Sequence, residues 1–460
     1  MSLREQNMRK GITRRKFLRQ AVASGIIVFS LGPRGRGTPA PGAGAKARSP
    51  NSRLQHAAIG VGGMMGGSDL QSILNTGKVD VVAICDIDES YLNQVAEKLP
   101  NARKYRDWRE LLDKEQKNID SVNVTTPDHM HAAIALSAID KGKHVYCQKP
   151  LTHEVYEARQ LTLAARKAGV VTQMGVQIHS HPAYRMAVQM LQEGAIGKVK
   201  EWHSWQSSSP LSLNGRPQGS DPVPAHVDWD LWIGVAPFRP YKADIYHPVK
   251  WRCWQDFGSG VLGDFGCHIF DPVFTALQLG PPISIYAEAA RNNNENWPAW
   301  QVVHYEFAAT RLTVGGTITG AWYDGGKLPP RELAGIPKDR NLPGSGSLII
   351  GEDGAMLLPH WSEPQLLPEE KFKNYPRPKL QDVDHYGQWV DACLGQGKTS
   401  AGFDYSGPLA EAVLLGNVAA RVPGKKLLWD AANMKIANVA EANQYLRRKY
   451  RTGWDVKALS

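Results

Sequence analysis

The sequence predicts an α/β protein of two domains: an N-terminal doubly wound parallel sheet, then an α+β domain with an open, mostly antiparallel sheet. Three observations carry this. A short apolar strand at His56–Ile59 runs into a glycine-rich loop and a helix. Strand and helix patterns then alternate as far as Gly175. Beyond it tryptophans appear in pairs, and period-two alternation takes over between Ile283 and Ile350, as in Val302–Phe307 and Leu312–Val314. At 460 residues the chain is too long for one core, because single cores stop growing near roughly 250–300 residues. The pattern divides it into 1–47, a nucleotide domain at 54–174, a second domain at 175–430 and a polar tail at 431–460.

The first loop reads Gly60-Val61-Gly62-Gly63-Met64-Met65-Gly66-Gly67, with helical character from Ser68 to Thr76. Glycines let the backbone turn tightly and approach a pyrophosphate, whose charge meets N–H groups at the helix N-terminus. The spacing departs from G-x-G-x-x-G, since Gly60 and Gly62 fit but Met65 holds the third position and Gly66 falls one residue late. Either the loop is one residue longer or the helix packs differently. The next strand, Val79–Cys85, ends at Asp86, 26 residues after Gly60 and near the spacing of a carboxylate on an adenosine ribose. An acid there repels a 2′-phosphate, which favours NAD over NADP.

A third strand, Ser121–Val124, delivers Thr125-Thr126-Pro127-Asp128-His129, and a fourth, 144–147, delivers Gln148-Lys149-Pro150. Parallel sheets bind ligands at such strand ends. This order of glycine loop, Cys-Asp, Thr-Pro-Asp-His, Gly-Lys-His-Val and Lys-Pro resembles the glucose-fructose oxidoreductase and inositol dehydrogenase family, written Gfo/Idh/MocA, over nearly all of residues 55–430. The resemblance implies a Rossmann domain and a bound NAD. Its expected contacts are Gly60, Gly62, Gly63, Met64, Met65, Asp86, Thr126, Pro127, Gln148, Lys149 and, near the nicotinamide, His129. The family's common tripeptide is Glu-Lys-Pro, so Gln148 exchanges an acid for a neutral amide.

The run from Gly258 to Asp271 is similar to the family's second signature. Asp264 and His268 are four residues apart and share one helix face, provided Pro272 does not break the helix after Asp271. Oxidising a secondary alcohol needs a base for the hydroxyl proton while hydride departs, and imidazole has the right unperturbed pKa. The resemblance implies that His268 is this base, that Asp264 holds a substrate hydroxyl and orients the imidazole, and that Lys149 stabilises charge on the reacting oxygen. The alternative is a structural histidine with a capping aspartate. Gln177, His179 and Arg185 follow the domain crossover and are expected in the substrate cleft. The pairs Trp202/Trp205, Trp229/Trp232, Trp251/Trp254 and Trp297/Trp300 are either core or a face on which sugar rings stack. Histidines at two-residue spacing, as in His129/His131 and His179/His181, lack a clustered carboxylate, so no metal is expected. Five cysteines without paired spacing suggest no disulfide framework.

The net charge of +10 is concentrated in residues 1–47, which carry +9, leaving a near-neutral body with little pull on phosphate polymers. Nucleic acid is therefore excluded as the main partner. Thr13-Arg14-Arg15-Lys16-Phe17-Leu18-Arg19 resembles a twin-arginine export signal, with a short apolar run Ala21–Leu31 and cleavage patterns at Ala45-Lys46-Ala47 or Ala43-Gly44-Ala45. A basic tail or an uncleaved anchor is the competing reading. Export places the expected enzyme in the periplasm, with no membrane span after processing and with homo-oligomerisation as the family implies. A cofactor carried out of the cytoplasm must be retained and its redox state restored. Three functions fit: an NAD-dependent oxidoreductase on a sugar or polyol, an NAD-dependent glycoside hydrolase using transient oxidation and elimination, or a non-catalytic nucleotide-containing binding protein.

Overall fold

Six short segments become six parallel strands, because each is followed by a segment that returns the chain across the sheet. In the computed structural model, which describes residues 53–210, 213–291, 293–337 and 339–459, these are β1 (Leu54–Ile59), β2 (Val79–Cys85), β3 (Arg103–Tyr105), β4 (Ser121–Val124), β5 (His144–Gln148) and β6 (Thr172–Gly175). The twin-arginine-like segment and its cleavage patterns lie outside the described residues. Between the strands run α1 (Gly66–Asn75), α2 (Glu89–Lys98), α3 (Trp108–Lys114), α4 (Asp128–Asp140) and α5 (Val155–Ala168). Asp88 and Asp107 start α2 and α3 by accepting the backbone N–H of Ser90 and Arg109, while Gly169 ends α5 in the left-handed conformation. The order β3-β2-β1-β4-β5-β6 reverses direction between β1 and β4, and a ligand crevice opens at that point.

After the crossover come α6 (Pro182–Gln192), β7 (Val199–Gln206), α7 (Trp229–Ile233) and α8 (Gly260–Leu277). The remaining strands are β8 (Pro282–Ala289), β9 (Gln301–Ala308), β10 (Thr317–Asp324), β11 (Ser345–Gly351), β12 (Ala355–Pro359), β13 (Gln365–Leu367), β14 (Leu427–Asp430) and β15 (Lys435–Ile436). They are interleaved with α9 (Glu369–Phe372), α10 (His385–Cys393) and α11 (Phe403–Arg421). The nine strands pair antiparallel except β7 with β10, in the order β13-β12-β11-β7-β10-β9-β8-β14-β15. One face packs on α8, with the Phe270 ring edge-on to Trp202 and Tyr305. The other buries Trp205, Leu348 and Leu357 under Ile336.

Some expectations are corrected. Leu312–Val314 is a turn, in which the Thr313 hydroxyl bonds the Thr310 backbone and a single bridge joins Thr313 to Val199; the strand begins only after Gly315 and Gly316. Of the paired tryptophans, for which core and binding face both stood open, all but Trp300 are buried, and Trp300 is half-buried under Lys327. Trp202, Trp205 and Trp254 are enclosed, Trp229 stacks on Trp232 with centroids 4.7 Å apart, and Trp251 and Trp297 are buried. Pro272 does not end its helix. It lies inside α8, where its missing N–H leaves the His268 carbonyl without the usual donor.

Residues 431–459 pack back onto the nucleotide domain. Tyr450 donates to Glu157 at 2.7 Å, Arg448 pairs with Glu154 at 3.0 Å and Arg109 lies over the Trp454 ring at 4.0 Å. The five cysteines are buried. Among the described residues no helix is long and apolar enough to cross a membrane.

Candidate active site

The crevice at the strand reversal is a cavity of about 850 Å³ that runs from the glycine loop to α8 and the ends of β7 and β12. At the loop end Gly60, Gly62 and Gly66 have a steric reason. A Cβ on Gly60, at φ +82°, would stand 2.4 Å from the Thr125 carbonyl oxygen, and one on Gly62 would stand 2.2 Å from the Tyr91 ring. A Cβ on Gly66 would stand 2.6 Å from the Gly60 carbonyl oxygen. Gly66 therefore makes the close helix-to-strand contact, and the loop is one residue longer than G-x-G-x-x-G.

Asp86 braces this loop by accepting the N–H of Val61 at 3.0 Å, of Gly62 at 2.9 Å and of Asp88 at 3.0 Å. Burial pushes its carboxyl up to about 6 against the pull of those N–H donors. It also lines the cavity, where lone pairs can meet ribose hydroxyls. Gly60, Gly62, Gly63, Met64, Met65, Thr126, Pro127, Gln148 and Lys149 line the same wall. The absence of room for a Cβ, the carboxylate at the strand end and the helix start at Gly66 all fit a dinucleotide.

His129 does not belong to that wall. It is fully buried, its ring nitrogens lie 3.0 Å from the Trp232 carbonyl and 3.3 Å from that of Phe257, and both aromatic rings cover it. Its neighbour Asp128 reaches the cavity instead and accepts the Ser259 N–H at 3.0 Å. Burial, then the nearby Asp264 charge, pushes the Asp128 carboxyl up to about 7.

Gln148 has a partner that compensates for the missing acid. Its amide donates to both oxygens of Asp69, at 2.9 and 2.8 Å, and Asp69 also accepts the Tyr386 hydroxyl at 2.6 Å and the Thr125 hydroxyl at 2.8 Å. Asp69 is fully buried in the first turn of α1, where the helix dipole favours a negative charge. The carboxylate of this corner stands on α1 rather than at the end of β5. Sequence reasoning missed Asp69, since its helix position predicts a solvated face.

At the other end Lys149 Nζ donates to Asp264 Oδ1 at 2.5 Å and to the Asp264 carbonyl at 2.7 Å. Arg252, stacked on Trp251 at 4.3 Å, approaches the other carboxylate oxygen at 3.8 Å. Burial raises the Asp264 carboxyl, but Lys149 and Arg252 more than offset it and hold it below the ordinary value. His268, one turn along α8, faces the same cavity and is 8% exposed, and its Nδ1 has no hydrogen-bond partner among the described residues. Burial, then the charge of Lys149, holds this imidazole well below its ordinary value, so it is neutral at pH 7.

Gln177 lines the cavity and donates to the hydroxyls of Tyr386 at 2.9 Å and Tyr146 at 3.2 Å. His179 and Arg185 do not; they line a separate recess of about 400 Å³. There His179 pairs with Asp271 at 2.7 Å and Arg185 bonds the Gln381 carbonyl. The short helical turn at Gln177–Ser180 splits the three, directing neighbouring side chains to different sides. Arg252 and Trp361 line the main cavity and were not anticipated. Among the described residues no cluster of His, Cys, Asp and Glu could hold a metal ion.

A doubly wound sheet with a glycine loop at its reversal, and a second domain closing the crevice, defines a two-domain dinucleotide-binding architecture. Residues 54–176 match the oxidoreductase family with an NAD-binding Rossmann fold, and 209–320 match that family's C-terminal alpha/beta domain. The chain belongs to the Gfo/Idh/MocA oxidoreductase family. It is 30% identical over 166 residues to levoglucosan dehydrogenase of Pseudarthrobacter phenanthrenivorans, covering 36% of this chain and 34% of the relative. It is 27% identical over 176 residues to inositol 2-dehydrogenase of Salmonella typhimurium, covering 38% of this chain and 48% of that protein. The chain thus spans a third to a half of the length of these relatives. Among solved structures, GenD2 from gentamicin A biosynthesis in complex with NAD superposes with a TM-score of 0.56 at 21% identity, over 87% of this chain and 100% of that one. The WlbA dehydrogenase of Chromobacterium violaceum, in complex with NADH and UDP-GlcNAcA, gives a TM-score of 0.59 at 17% identity, over 84% of this chain and 99% of that one. At these identities the superpositions speak for the fold alone.

Proposed function

We propose that this protein is an NAD-dependent oxidoreductase that moves hydride to or from a carbon of a sugar or polyol, on a cofactor it retains. The observation that carries this is the meeting of Lys149, Asp264 and His268 in one cavity whose far end is the glycine loop. Bound NAD supplies the hydride acceptor. Lys149, held by Asp264, hydrogen-bonds the reacting oxygen and stabilises its negative charge as the proton leaves. His268, neutral and with a free ring nitrogen, takes that proton. Asp264 positions the ammonium and accepts a neighbouring hydroxyl of the substrate. The dehydrogenase and reductase names of the relatives support this outcome over glycoside hydrolysis, and the intact Lys, Asp and His set supports it over a catalytically silent binding protein.

The twin-arginine-like segment supports export of the folded, cofactor-loaded protein to the periplasm. Both parts are tested together by recovering the protein from a periplasmic fraction, sequencing its N-terminus and analysing what it releases on denaturation. An N-terminus just after Ala45 or Ala47 with stoichiometric NAD(H) is expected. A cytoplasmic protein with an intact N-terminus sinks the export proposal, and an empty protein that does not bind added NAD sinks the oxidoreductase.

The protonation of Asp86 gives a separate expectation. The carboxylate accepts ribose hydroxyls better than the carboxylic acid does, and in the free protein it titrates at about 6. NAD affinity should therefore weaken as pH falls through that value, about tenfold from pH 7 to pH 5. Calorimetric titration checks this, and Asp86→Asn should flatten the profile.

A further inference from the structure

We infer that Trp361 is a stacking platform for a sugar ring at the mouth of the cavity. The inference rests on the carbohydrate reading above and deepens it, by requiring a substrate that presents the C–H face of a ring.

Trp361 lines the cavity with 51% of its surface exposed, whereas Trp232 and Trp251, which also line it, are buried. An indole left half in water forfeits much of the stabilisation that burying it would give. Its backbone adds a second cost, because φ is +62°, a left-handed conformation that bulky side chains rarely adopt. The indole is nevertheless held in place. His181 meets it edge to face at 5.1 Å and His360 lies tilted against it at 5.6 Å. An exposed, strained and braced aromatic face in a concave site serves whatever the site binds.

Topology places this face at the substrate end. Trp361 follows β12, where the His360 N–H bonds the Ser345 carbonyl at the start of β11, and on the other side of β11 the end of β7 delivers Ser207, whose N–H bonds the Gly344 carbonyl. The exposed hydroxyl residues Ser208 and Ser209 therefore lie on the same rim and line the same cavity. His360 stands 5.8 Å from the His268 ring on one side and touches Trp361 on the other, so the platform is two ring contacts from the proposed base. The glycine loop, which fits the dinucleotide, is at the far end. An apolar face beside hydroxyl groups matches a pyranose, whose faces carry C–H bonds and whose edge carries hydroxyls.

The test uses the full chain loaded with NAD and methyl β-D-glucopyranoside as probe, read by saturation-transfer NMR. Wild type should saturate the probe's ring C–H protons, Trp361→Ala should lose the signal about fivefold and Trp361→Phe should recover part of it. Trp361→Gly, which suits the left-handed backbone, should lose the signal without lowering the melting temperature. In parallel, the ratio of kcat/KM for the glucoside to that for the open-chain polyol D-glucitol should fall about tenfold in Trp361→Ala. Equal saturation in wild type and Trp361→Ala, or none in wild type, overturns the platform even where sugar-dependent NAD reduction upholds the oxidoreductase. Saturation lost in Trp361→Ala without turnover by wild type upholds the platform and overturns the oxidoreductase.

Discussion

Lys149→Met should lower kcat about a thousandfold while the protein still folds and retains NAD, because one donor aimed at a developing negative charge is worth about that factor in a water-poor site. The ammonium donates to Asp264 Oδ1 and to the Asp264 carbonyl, so its position is set by α8 rather than by substrate. Methionine keeps much of the stem and removes the charge. The fold should survive, since Arg252 still faces the Asp264 carboxylate at 3.8 Å. The pH dependence of stability should change with it. Asp264 is held below its ordinary value, so its contribution is present above about pH 4 and disappears as pH falls through the lower folded value. Without Lys149 that contribution should shrink. Stopped-flow hydride transfer and urea unfolding across pH read the two effects separately, and unchanged turnover would remove Lys149 from the chemistry.

The second large effect is on stability. Gln148→Glu should destabilise the protein by about 3 kcal/mol at pH 7, because it sets an acceptor-only carboxylate against buried Asp69 and removes the amide that bonds both Asp69 oxygens. Burial already raises the Asp69 carboxyl against the pull of Tyr386, Gln148 and Thr125. A second acid would raise one carboxyl of the pair further. Its stability contribution is then full at low pH and lost as pH rises through the raised value, so the deficit should shrink toward pH 5. Combining Gln148→Glu with Asp69→Asn exchanges donor and acceptor and should recover most of the loss. Urea unfolding of the two single variants and the double variant decides it, and additivity of the single effects would refute the pairing.

The nucleotide half was legible because parallel strands buried on both faces leave apolar runs that end at the ligand. Val79–Cys85 and Ser121–Val124 have the strand limits expected of them. The shared face of Asp264 and His268 followed from helical spacing alone, and Pro272 bent no rule strongly enough to interrupt α8. What escaped depends on contacts distant in the chain. Asp69 gains its meaning from Gln148 and from Tyr386, 317 residues away. His179 and Arg185 follow the crossover just as Gln177 does, and nothing local says that a short helical turn sends them to another recess. Trp361 stands between Pro359 and Pro364 without the spacing of a helix or a strand, so only its exposure and its backbone conformation reveal it. The spacing of the tryptophan pairs left core and binding face both open, and burial decides for core at every position but Trp300.

The return of residues 448–454 to the outside of α5 and α3 bears on modularity. Glu154 and Glu157 are buried in the nucleotide half, yet Arg448 and Tyr450, which satisfy them, lie almost three hundred positions downstream. An excised fragment ending after β6 would keep two enclosed acids and lose the cation between them, a cost of about 3–5 kcal/mol before any loss of packing. The glycine-loop half is therefore not a cassette that can be grafted onto another scaffold by cutting at the crossover. Transplanting this chain's nucleotide half requires the distal segment to travel with the sheet it seals.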